Sequence, residues 1–130
     1  MEFLPGKHEK GGTAVVFKDS GIAGKQQTFS QLEKVMSELG FVRWTWDYDF
    51  ATYDMRFDDL NTNKTYYLRV RANCVQGRLE SPHAILKLED PIMGRHIVHH
   101  GMDYEAEIPK RFVQTAEQVI QTLKEKLEVA

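Results

Sequence analysis

One cysteine, Cys74, occurs among the 130 residues. No intrachain disulfide and no thiolate metal cluster can form, as expected of a protein in a reducing compartment such as the cytoplasm. No apolar run approaches the ~18 residues needed to cross a bilayer as a helix. Residues 1–10, with Pro5, Gly6, His8 and Glu9, lack the apolar stretch of a signal peptide. Neither membrane insertion nor secretion is expected. Excess positive charge is missing too: the formal net charge is −2, which gives no pull toward phosphate backbones, so nucleic acid is not an expected partner. Repeats, linkers and low-complexity tracts are also absent, and residues 1–130 are expected to form a single α+β domain, with residues 1–12 loosely ordered.

What is present is ordinary globular composition, 42% hydrophobic and 28% charged, enough for one buried core. Thr13 to Phe17 is short, apolar and β-branched, which predicts a strand, and Gly21 to Gln27 suits a loop. Thr28 and Gln31 match a capping box, followed by Leu32, Val35, Met36 and Leu39 at helical spacing, with Gly40 as the stop. Val42, Trp44, Trp46 and Tyr48 then alternate with polar residues, and Tyr53, Met55 and Phe57 repeat the pattern. A tight turn at Asp49 and Phe50 would set Val42 opposite Phe57, Trp44 opposite Met55 and Trp46 opposite Tyr53. In a third strand Tyr66, Leu68, Val70, Ala72 and Cys74 point inward. Pairing Phe57 with Tyr66 places Asp54 opposite Arg69, a favourable cross-strand pair.

His83 to Glu89 reads as a fourth strand of this meander and Arg95 to His100 as a fifth. The chain closes with a helix begun by Pro109 and striped by Phe112, Ala116, Val119, Ile120, Leu123 and Leu127. The whole reads as an antiparallel sheet of about five or six strands with two helices packed on one face.

Each candidate site has an ordinary structural explanation beside it. Gly21, Ile22, Ala23, Gly24 and Lys25 look like a phosphate loop, but two residues rather than four separate the glycines, and Gln26 follows the lysine. His83, His96, His99 and His100 are the metal-ligating candidates. On a strand His96 and His100 would lie ~13 Å apart, too far to share one ion, and His99 would face away, so a polar edge strand is the better account of them. Asp47, Asp49, Asp54, Asp58 and Asp59 supply carboxylates for acid–base work, yet charge pairing with Arg43, Arg56, Arg69 and Arg71 is sufficient reason for them. Trp44, Trp46 and Tyr53 could line a ligand pocket between sheet and helices, although their phase is also that of core packing. Cys74 reads as an inert core thiol. No catalytic residue and no cofactor is implied.

The uncovered sheet face carries Arg43, Asp47, Asp54, Arg56, Tyr67, Arg69 and Arg71. A two-fold axis would bring each arginine near a partner's aspartate, so this face is a candidate homodimer surface. The function expected on this reading is a non-enzymatic binding or protein-interaction domain; the alternative is a small-molecule binder or enzyme using the aromatic pocket.

Gly40 and Phe41, then Trp46, Asp47, Tyr48 and Asp49, then Tyr53 and Asp54, then Tyr67, Leu68, Arg69 and Val70, and finally Leu79 to Pro82 form a pattern that resembles the YugN-like family of small bacterial proteins. The resemblance extends over most of the chain, including both helices. It implies a cytosolic bacterial protein of this architecture, from a family without an assigned activity or agreed catalytic residues, so no residue role is carried over.

Overall fold

The computed structural model describes residues 15–97 and 101–129. The elements are β1 (Val15–Val16), β2 (Gln26–Thr28), α1 (Phe29–Leu39), β3 (Val42–Trp46), β4 (Phe50–Asp59), β5 (Lys64–Gln76), β6 (Ile85–Leu88), β7 (Ile92–Ile97), β8 (Gly101–Asp103) and α2 (Lys110–Val129). Expectations for residues 1–12, and for the strand beginning at Thr13, lie partly or wholly outside the described residues.

The helix boundaries follow from local chemistry. The Thr28 hydroxyl accepts a hydrogen bond from the Gln31 N–H at 3.2 Å, satisfying a donor that the first turn leaves open. Gly40 ends α1 in the left-handed region at φ 97, where a side chain would be strained. Leu32, Val35 and Met36 of α1, with Val113, Ala116, Ile120, Leu123 and Leu127 of α2, form the buried stripes.

These stripes pack on one face of an open antiparallel sheet of eight strands, the α+β arrangement expected. The strands run β1-β7-β5-β4-β3, with β6 bridging β5 and β2, and β8 pairing with β7. Two of the additional strands are short: β2, in a segment expected to be loop, pairs with β6, and β8 folds back on β7. The 13-residue β5 is the spine. One side pairs along its length with β4; the other pairs first with β7, at Tyr66 to Arg69, and then with β6, at Ala72 to Gln76.

Between β4 and β5 the expected register holds, with Phe57 opposite Tyr66 and Asp54 opposite Arg69. Between β3 and β4 it does not. Val42 opposes Asp54 and Arg43 opposes Tyr53, and after an irregularity at Trp44, Thr45 opposes Thr52 and Trp46 opposes Ala51. The turn is the cause. The Asp47 carboxylate accepts hydrogen bonds from the Asp49 and Phe50 N–H groups, moving the reversal to Tyr48 and Asp49, and the bulge adds one more step. Val42 therefore lies three positions from its expected partner, an odd shift that exchanges the faces of Val42 and Arg43. Trp46 is displaced by two and keeps the face of Tyr53.

Candidate functional site

The structure separates the candidates that share a pattern in the sequence. Tyr53 is in the core, 1% exposed, and its hydroxyl donates to the Glu33 carboxylate of α1 at 2.6 Å. Burial first, and then Glu33, push its ionisation far above the usual phenol range. Trp44 and Trp46, by contrast, are 60% and 47% exposed, and Val42 and Tyr48 are 61% and 60% exposed. The expected aromatic pocket is not formed by these three residues: Tyr53 is buried and bonded to α1, while both tryptophans are exposed on β3. Two surface grooves, one lined by residues such as Tyr66 and Lys110 and one by Gln31 and Lys126, include neither tryptophan nor Tyr53.

β3 pairs only with β4 among the described strands, so it is a sheet edge. Arginines brace its aromatic side chains from within the chain. Arg43 lies 4.4 Å from the centre of the Trp46 ring and 5.2 Å from that of Phe29, and Arg78 lies 3.9 Å from the centre of Tyr48. Arg43 is held in turn by Glu33 at 3.5 Å and Glu80 at 3.3 Å. A guanidinium over an aromatic face is worth about 0.5–1 kcal/mol at exposed sites. These contacts orient Trp46 and Tyr48 while leaving much of each side chain open to a partner.

The polar outer face is internally satisfied at its centre. Asp54, 5% exposed, receives two hydrogen bonds from Arg69, each 2.8 Å, and Arg69 donates a third to the Tyr104 hydroxyl at 2.9 Å. The Asp54 bonds are the main reason that the Arg69 guanidinium gives up its proton even less readily than usual. Arg56 pairs with Asp58 at 2.9 Å, Arg71 with Glu89 at 3.6 Å, and the Tyr67 ring meets His96 edge-on at 5.8 Å. Asp47 belongs to the turn, and Arg43 has moved to the helix side. The seven residues expected to form one interaction face are thus divided among a buried ion pair, surface pairs and a turn.

The histidines are not brought together. His83 is exposed in the turn before β6, not on a strand. The strands it and His96 flank meet β5 at Gln76 and Tyr66 respectively, separated by about 30 Å of strand at the usual rise. His99 and His100 lie outside the described residues, and no group of three His, Cys, Asp or Glu arranged to hold a metal is found among the described residues. In the glycine loop, Ile22 is fully buried and Lys25 pairs with Glu128 at 3.3 Å, so that segment anchors to α2. The half-buried Cys74 thiol points to the Gln76 and Gly77 carbonyls, each 3.4 Å away.

Neither described helix is long and apolar enough to cross a membrane. The chain is 32% identical over 110 residues to Bacillus subtilis (strain 168) "Uncharacterized protein YlbA", covering 82% of this chain and 90% of the relative. It is 34% identical over 89 residues to YugN of the same organism, covering 68% and 65% of the two chains. The crystal structure of the uncharacterised conserved protein YugN from Geobacillus kaustophilus HTA426 superposes with a TM-score of 0.76 at 35% identity, covering 88% of this chain and 95% of that one. A model of the YugN-like family matches residues 18–107, and the chain belongs to that family.

Proposed function

We propose that this chain is a non-enzymatic cytoplasmic interaction module that pairs with a second copy of itself along β3. The observation that carries the reading is the exposure of Trp44, Trp46 and, in the turn after them, Tyr48, on an edge that no other described strand covers. Tryptophan and tyrosine are among the residues most enriched at interface hot spots, and exposed sheet edges recruit further strands.

Self-complementarity supports a second copy as the occupant. Val42, Arg43, Trp44, Thr45, Trp46, Asp47 and Tyr48 read alike from either end about Thr45: apolar, charged, tryptophan, threonine, tryptophan, charged, apolar. In an antiparallel pair centred on Thr45, each Trp44 opposes a Trp46 and each Val42 opposes a Tyr48. Aromatic and aromatic–β-branched pairs are favourable across strands, and a two-fold axis supplies each of them twice. This interface replaces the Arg69-centred face, because Arg69 is committed to Asp54 within the chain.

Sedimentation velocity and native mass spectrometry of the untagged protein test the reading. The protein is expected to be a dimer at micromolar concentration. Trp44→Ser with Trp46→Ser should raise the dissociation constant by at least thirtyfold, the effect of losing one hot-spot residue worth about 2 kcal/mol. A monomeric parent, or a dimer untouched by the double substitution in a variant with parental circular dichroism, refutes it.

A further inference from the structure

At the end of the sheet carrying the β4–β5 turn, a groove of about 610 Å³ opens between the strands and the start of α2. That volume is within the range of small-molecule sites, about 300–1,000 Å³. Its charged walls are Lys64, Arg95, Lys110, Asp59, Asp103 and Glu107, with Tyr66 among the lining residues.

Tyr66 is 4% exposed, and its ring packs against Phe112 at 5.6 Å between centres. Among the described residues nothing accepts a hydrogen bond from its hydroxyl. Burial first, and then the nearby Asp59 carboxylate, raise the pKa of this phenol, so it stays protonated and remains a donor. A buried hydroxyl without an acceptor is costly unless something else supplies one.

The other groups around it are also donors without partners. Lys64, Arg95 and Lys110 form no ion pair among the described residues. Asp59, the nearest carboxylate, is already engaged: Arg111 lies 3.2 Å from it and the Asn61 N–H donates to it at 3.0 Å. In the first turn of α2, the Phe112 and Val113 N–H groups both bond to the Pro109 carbonyl, while those of Lys110 and Arg111 precede the first intrahelical bond and present the positive end of the helix dipole. The lining carries three cations and three carboxylates, Asp59, Asp103 and Glu107; with Asp59 taken up by Arg111, the three unpaired cations face two carboxylates.

We propose that this groove binds a small organic anion bearing a phosphate or carboxylate group, with Tyr66, Arg95 and the first turn of α2 as donors. The anion oxygens supply the acceptor that the Tyr66 hydroxyl lacks and the countercharge that Arg95 and Lys110 lack. The site is independent of the β3 edge, so its test does not depend on the oligomeric state.

An NMR titration of the ¹⁵N-labelled full chain with inorganic phosphate, and separately with citrate, at constant ionic strength tests the proposal. Saturable shifts at the Lys110 and Arg111 amides with at least one of the two anions are expected. Tyr66→Phe, which removes only a hydroxyl without a partner, should keep the fold and weaken binding about tenfold, as for loss of a hydrogen bond to a charged acceptor. Arg95→Gln should weaken it at least as much. Shifts that rise linearly and are matched by chloride overturn the proposal, as does an affinity unchanged in both variants.

Discussion

Asp54 and Arg69 are the residues on which the outer face turns. Removing one partner of a buried ion pair leaves the other charge without compensation, at a cost of about 3 kcal/mol or more. Asp54→Ala is therefore expected to lower stability by about 3 kcal/mol in urea unfolding, and a loss below about 1 kcal/mol would contradict the pairing. Asp90 shows the opposite effect. Its burial, together with Asp19 and Glu89, raises its pKa above the usual carboxyl value, against the opposing effect of Lys18. The native state then holds a proton more tightly than the unfolded chain, so stability declines as pH rises from that usual value through the raised native one. Asp90→Asn should raise the melting temperature at pH 7 and give no gain at pH 3; calorimetry showing equal effects at both pH values would refute this.

At the scale of elements, legibility followed the range of the chemistry involved. The Thr28 cap and the Gly40 stop depend on a few adjacent residues, and both are where the sequence places them. The β4–β5 register was legible because both faces agree on it: apolar Phe57 with Tyr66, and charged Asp54 with Arg69. The β3 register was not, because periodicity does not reveal that the Asp47 side chain would draw the turn one residue earlier, nor that a bulge would follow at Trp44. Periodicity also assigns a side chain to a face without saying whether a helix covers it, which is why Trp44 and Trp46 read as pocket walls. The groove at Tyr66 carried no signal at all, since its residues come from β4, β5, β7, β8 and the start of α2. One element contact is directly testable. A Cβ added to Gly94 of β7 would sit 2.9 Å from Tyr104 and 3.2 Å from the Asp103 carbonyl, closer than packed atoms approach. Gly94→Ala should thus loosen the segment after β8 and disturb the Arg69–Tyr104 hydrogen bond, seen as faster amide exchange at residues 101–104 with helix protection retained.

For the whole molecule, the arrangement of strand ends governs what kind of assembly can follow. Among the described strands, the free edge is formed by the five-residue β3 and, past the end of that pairing, by residues 55–59 of β4, which pair with β5 alone. Its other margins among the described strands are β1 with two residues and β2 and β8 with three each. A strand of two or three residues offers too little ladder to hold another chain. If β3 joins its own copy about a two-fold axis, each molecule uses up its aromatic edge on the other, and the edge left open on β4, residues 55–59, carries no tryptophan or tyrosine. The exposed tryptophans that would otherwise invite fibres are then spent within the pair.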